Sequence, residues 1–164
     1  MKTNEYLAKE LIESILYINI ATITPEGRPW NTPLVFAYDK HFNLYWLSWK
    51  KNQHSINVKN NPRVFATIYD STVPTDTEFG VYLEGTAWQI KNLKETLLGL
   101  KCIYGRRNRI RRPLKEFMNK FPRRMYKFKP KRVWINGYGD VDNNYVDVRV
   151  ELDMEELKQA IKEK

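Results

Sequence analysis

Residues 44–70, LYWLSWKKNQHSINVKNNPRVFATIYD, decide how the rest of the chain is read. LYWL at the front and VFATIY at the back are apolar, aromatic and β-branched, the residue types that fill half-buried strands. Between them, 48–60 is too polar for a core element, yet Ile56 and Val58 mark a helix that packs one edge before Asn60, Asn61 and Pro62 end it. Strand, short helix and strand are predicted in that order. The turn into the helix places Ser48, Lys50, Lys51, Asn52, Gln53, His54 and Ser55 within eight positions. Donors gathered at a helix start, where backbone N–H groups are free and the dipole is positive, point to an anion site.

Upstream, residues 17–24 (YINIATIT) alternate β-branched and small residues and run into Pro25-Glu26-Gly27-Arg28, where Pro presets φ and Gly accepts a positive φ. A hairpin follows. Its second arm spans 29–39, and the looser turn DKHFN leads into LYWL, so a three-stranded meander is predicted. Before it, Leu7, Leu11, Ile12 and Ile15 recur at helical spacing behind Asn4, a capping residue. Downstream, 80–90 (GVYLEGTAWQI) reads as a strand in which Gly85 marks a bulge or a close backbone approach. Leu93, Leu97, Leu100 and Ile103 predict a helix over 92–104, and Pro113 opens a second short one reaching 121. RMYKFK and KRVWIN alternate as strands around Pro130, a loop follows, then a strand at 145–152, and Asp153-Met154-Glu155-Glu156 offers a capping box for a last helix. The expected fold is α+β, mainly β: an antiparallel barrel, closed or nearly so, of six or seven strands with peripheral helices, because closure removes exposed edges.

A chain of 164 residues suits one domain, 1–164. Five Trp, ten Tyr and seven Phe are enough to line something flat. The lone Cys102 cannot close an internal disulfide, and no leading stretch has the order of a signal peptide, so a cytoplasmic location is expected. The longest uncharged run, 14–25, has 12 residues, short of the roughly 20 of a membrane span. Two histidines, His41 and His54, and one cysteine do not supply a zinc cage or a His-Cys pair. Neither GxxxxGK[ST] nor GxGxxG occurs. The pairs Asp140/Asp142 and Glu155/Glu156 fall in a loop and at a helix start, where solvation or capping accounts for them. The net charge of +9 is local: 106–132 holds 13 Lys or Arg against Glu116 alone, a net of +12, which leaves −3 for the rest.

Taken together, ATITPEGRPWNTPLVFAYD, LYWLSWKKNQHSINVKNNPRV and VYLEGTAWQI, with FPRRMYKFKPKRVWIN more faintly, resemble the FMN-binding split-barrel family related to pyridoxamine 5′-phosphate oxidase over most of residues 17–136. The resemblance implies a split β-barrel, a homodimer, and FMN at the subunit interface. It implies that Asn31, Thr32, Pro33 and Leu34 run along the flavin ring and ribityl chain. Leu47 and Ser48 stand beside the ring edge or phosphate, and Lys51, Gln53, His54 and Asn57 complete the cofactor-binding set. Gln53 and His54 occupy positions where the family pattern often has Arg and Lys, and Lys50 and Lys51 are candidates for the missing charge. Trp134 and Asn136 are placed near the flavin edge.

The leading expectation is an FMN flavoprotein that carries out two-electron oxidation or reduction of a small anionic or aromatic molecule, with the flavin doing the chemistry and no side chain marked as acid or base. A non-enzymatic flavin or haem carrier or sensor, a deazaflavin (F420) in place of FMN, and a basic nucleic-acid-binding protein are the alternatives. For the last, Phe117, Phe121, Tyr126 and Phe128 would stack bases. The segment 106–132 also reads as a solvated face, as a clamp for an anionic second substrate or a deazaflavin, or as a phosphate contact across the dimer. Trp30, Trp46, Trp49 and Trp88 fit a ring lining, the barrel core or a dimer interface equally.

Overall fold

Strand alternation builds the barrel wall. In β1 (Tyr17–Ile23) Ile18, Ile20 and Thr22 turn inward while Tyr17, Ala21 and Ile23 face out, and in β5 (Arg63–Tyr69) Val64, Ala66 and Ile68 are the buried set. The computed structural model describes residues 2–74, 79–110, 112–118, 120–141 and 144–162, with backbone alone at 138–141 and 144–147. Part of the 70–79 loop, Arg111, and the side chains of the Asp140/Asp142 pair therefore lie outside the description.

The remaining elements are α1 (Asn4–Ser14), β2 (Pro29–Val35), β3 (Ala37–Tyr38), β4 (Leu44–Trp49), α2 (Gln53–Asn60), β6 (Gly80–Gln89), α3 (Leu93–Arg106), a 3-10 turn (Leu114–Phe117), β7 (Arg123–Val141), β8 (Asn144–Glu151) and α4 (Met154–Lys162). The strands form one antiparallel sheet in the order β2-β1-β5-β6-β7-β4-β3, and β8 folds back on the far half of β7. The sheet curls until β2 approaches β4, but these two strands do not pair. The result is a split barrel with an open seam. Its main core joins Ile12 of α1, Ile20, Ile68, Leu83 and Phe128 of the wall, and Leu157 of α4. A second cluster, Ala37, Tyr45, Ile90, Leu100, Ile103, Phe117 and Met125, seats α3 on the outside of β3 and β4. Among the described residues, no helix is long and apolar enough to cross a membrane.

Several sequence expectations are corrected. The predicted meander does not form, because the 29–39 arm breaks at Phe36. That ring is fully buried and its N–H bonds to Leu16 O, so Ala37 and Tyr38 pair with β4 while β2 stays on β1. Thr3, not Asn4, caps α1, its Oγ1 accepting from Tyr6 N. The helix expected from Pro113 is only the 3-10 turn. The two strands expected around Pro130 are one. Pro130 stands opposite Gly85 while Glu84 pairs with Arg132, so Lys131 is the extra residue of a bulge, a position where a proline's missing N–H costs no ladder bond. β7 then runs on through the glycines to a hairpin with β8. Asp153 caps α4 as expected, Oδ1 accepting from Glu155 N and Glu156 N at 2.8 and 2.9 Å, but the return half of the expected capping box is taken by Glu5, whose Oε1 accepts from Asp153 N.

Gly85 is required by this bulge, since a Cβ there would lie 2.2 Å from Lys129 O and 2.9 Å from Pro130 Cα. Gly85→Ala should destabilise the fold by about 3 kcal/mol in urea unfolding. Gly105→Ala, at an exposed position of α3 where an added Cβ meets nothing within 4 Å, should be neutral or stabilising by up to about 1 kcal/mol. Equal effects at the two sites would refute the bulge argument.

Candidate cofactor site

The seam is chemically distinctive because two backbone edges face it. β2 is the end strand of the sheet, and β3 pairs only with Leu44 and Tyr45, so the stretch from Trp46 to Trp49 pairs with β7 on one side alone. Unpaired strand edges carry free N–H and C=O groups. A cleft of about 520 Å3 lies here, lined by Tyr17, Pro33, Leu34 and Val35 from the β1–β2 side and by Leu47, Ser48, Trp49 and Asn52 from β4 and its turn. Ile103 and Tyr104 of α3 close its back. The basic segment supplies Arg107, Arg109, Arg112 and Arg123.

Below the cleft, α2 turns a polar face inward. His54, Ser55 and Asn57 are buried with Val58, whereas Ile56, expected to pack, is 36% exposed. The hydroxyls they meet explain the inversion. Ser48 Oγ accepts from Asn52 Nδ2 and Ser55 Oγ, both at 3.0 Å, which leaves its single proton to donate. His54 Nε2 at 2.7 Å is a better acceptor position than Trp49 O at 3.4 Å. On the other side of the seam, Asn57 Nδ2 donates to Thr22 Oγ1 at 2.9 Å and Thr22 donates to Trp30 O, while Gln53 Nε2 holds Asn57 Oδ1 at 2.8 Å. Burial pushes the His54 imidazole below its ordinary value and favours the neutral ring, in the tautomer whose Nε2 accepts the Ser48 proton.

Of the ten sequence-derived candidates, the structure brings Pro33, Leu34, Leu47 and Ser48 to one cleft. Gln53, His54 and Asn57 lie under it, bonded to Ser48, to Thr22 or to one another, and Lys51 is exposed on the turn. Asn31 and Thr32 lie farther along β2, with Asn31 exposed and Thr32 Oγ1 accepting from Trp30 Nε1 at 3.1 Å. Trp134 and Asn136 line no part of the cleft. Trp134 sits in an aromatic row on the outer sheet face, 6.2 Å from Phe65, with the Arg132 guanidinium 4.6 Å over its ring, and Asn136 Oδ1 accepts from Gly80 N. Asn52, Tyr17, Ile103, Tyr104 and the four arginines were not among the ten. The charge run carried the signal for the arginines, but only the return of α3 to the seam aims them.

The sequence profile of the pyridoxamine 5′-phosphate oxidase family matches residues 7–137. The chain belongs to this family. No curated protein matches it by sequence. Solved structures similar to it include a heme binding protein from Mycobacterium smegmatis (14% identity, TM-score 0.66, 98% of this chain and 61% of that one). Others are a heme storage protein from Vibrio cholerae (15%, 0.67, 85% and 98%) and an F420 reductase (23%, 0.59, 81% and 98%). This chain thus spans less than two thirds of the mycobacterial protein. At these identities the likeness shows the shared fold.

The buried neutral imidazole has a pH consequence. An unfolded histidine titrates near about 6.5, so with a lower folded pKa the unfolded chain binds more protons below that pH. The stability His54 contributes is present above about pH 6.5 and is lost as pH falls through its folded pKa. Unfolding free energy should therefore fall between about pH 7 and pH 5, and less steeply in His54→Gln. Parallel pH profiles would contradict the assignment.

Proposed function

We propose that this chain is a homodimeric flavin-binding protein, acting in the cytoplasm, that holds FMN or a deazaflavin in the seam cleft and uses it to oxidise or reduce a small anionic molecule. One observation carries the reading: two unpaired strand edges, an apolar wall and four arginines meet in a single cleft. Bound flavin supplies the two-electron chemistry. Pro33, Leu34 and Leu47 offer the flat apolar contact, the free backbone of β2 and β4 offers donors to a polar ring edge, and Asn52 with the guanidiniums of Arg107 and Arg123 would hold a phosphate. Ser48, Gln53, His54 and Asn57 then fix the turn instead of neutralising charge, and Lys51 adds a cation at its rim. Four arginines exceed what one phosphate needs. The surplus from Arg109 and Arg112 suits an anionic second substrate or a longer anionic cofactor tail.

The second reading, a haem carrier, has support from the two neighbours that bind or store heme. Against it, the described cleft lining offers no imidazole, thiol or thioether as an axial ligand, only the phenols of Tyr17 and Tyr104, and His54 Nε2 is engaged by Ser48. Arginines gathered in one cleft, instead of along a face, also favour a compact anion over nucleic acid. Support for the dimer comes from the outer sheet face. Asn31 shares its cross-strand row with Ala21 and Phe65, next to Tyr82 and Trp134; these half-buried rings, with the Arg149 and Arg132 guanidiniums stacked over them, form a face that a second copy would cover beside the β2 edge.

Mixing the purified chain with FMN, F420 or hemin, followed by gel filtration, tests both parts. A flavin or deazaflavin spectrum should co-elute with a dimer. Arg107→Ala/Arg123→Ala should weaken cofactor binding about 10- to 100-fold with an unchanged circular dichroism spectrum, and Trp134→Glu should give a monomer. A protein that takes up neither flavin, or takes up hemin alone, sinks the flavin reading.

A further inference from the structure

A larger cleft, of about 940 Å3, lies on the opposite flank of α3 and shares no lining residue with the seam cleft. Its apolar lining is Tyr38, Leu98 and Cys102, and its cations are Lys40, Lys101 and Arg106. Arg106 is the anchoring group. Its guanidinium stacks 4.3 Å over Phe36 and 5.0 Å over Tyr38, and Nη2 donates to the Ile12 and Ile15 carbonyls at the end of α1. The same group's Nη1 is buried and has no hydrogen-bond partner among the described residues. Nη1 is closed off from solvent, so what Arg106 offers the cleft is a fixed positive charge held at its wall.

Two carboxylates also border the cleft, and they differ in availability. Asp39 is consumed within its own turn: Oδ1 accepts from His41 N, Asn43 N and Asn43 Nδ2, and Oδ2 from Asn43 Nδ2 and Tyr45 Oη. Those donors are neutral, so Asp39 keeps its charge, and Glu13 interacts with Tyr38 and Arg106; Lys40, Lys101 and Arg106 still outnumber the two carboxylates by one. The balance favours an anion with an apolar body.

We propose that this flank cleft is a second ligand site, for a small organic phosphate or carboxylate whose oxyanion sits among Arg106, Lys101 and Lys40 and whose apolar part lies on Tyr38 and Leu98. The site stands independently of the cofactor reading, because no residue is common to the two clefts. Arg106 also caps α1, so its removal would confuse binding with folding. The lysines are the better handles.

Phenyl phosphate and benzoate serve as probes, titrated into 15N-labelled full chain. Backbone amides of residues 38–41 and 98–106 should shift saturably with at least one of them. The same probe should slow alkylation of Cys102, the chain's single cysteine, by N-ethylmaleimide. Lys40→Glu/Lys101→Glu should weaken that binding about tenfold or more, while Arg107→Ala/Arg109→Ala should leave it intact. The proposal fails if neither probe gives saturable shifts there, if the lysine variant binds as well as the wild type, or if binding follows the arginine variant instead.

Discussion

The barrel depends on a helix that places polar side chains where a core would normally be apolar. α2 lies across the seam and binds each wall by hydrogen bonds, Ser48 of β4 through His54, Asn52 and Ser55, and Thr22 of β1 through Asn57. Ser48, His54, Ser55 and Asn57 each have a partner in this network, so their burial is tolerated and the geometry is directional. An apolar helix would have let the walls slide. The hydrogen bonds set the separation of two strand edges that approach without pairing, and that separation is the cleft.

Electrostatics follows from the same arrangement. The positive run looks uniform in the sequence, yet its members do different work. Arg106 is withdrawn onto Phe36, Tyr38 and the end of α1, where burial pushes its pKa down. Lys127 bonds to Glu95 at 2.7 Å beneath Trp88, and Arg132 pairs with Glu151 on the outer face. Arg107, Arg109, Arg112 and Arg123 are left around the seam, among which Arg112 also meets Glu116. Because α3 and its following loop double back over β4, charge far along the chain is concentrated at the polar turn. His54 has the opposite character: burial keeps it neutral, so it orders the turn and contributes no charge to it.

Much of this was legible locally. Alternation identified the strands, Gly27 turned the first hairpin with a φ of 83°, and Gly85 and Asp153 acted as their surroundings in the chain predict. The misreadings share one cause. Hydrophobicity points Ile56 inward, but the groups beneath α2 are hydroxyls, Ser48 of the preceding strand and Thr22 from a strand distant in sequence. Alternation makes 29–39 one arm, but the burial of Phe36 divides it between opposite edges of the sheet.

By itself, the sequence determined the antiparallel strands, the capped helices, the polar turn and the family, because propensity, turn chemistry and residue pattern act over a few neighbouring positions. Only the tertiary structure decided that the barrel stays open between β2 and β4, that His54 is a buried acceptor, and that four arginines share a cleft with Pro33, Leu34, Leu47 and Ser48. Those outcomes turn on which distant edges meet and which groups lose water. No local pattern of residues encodes either.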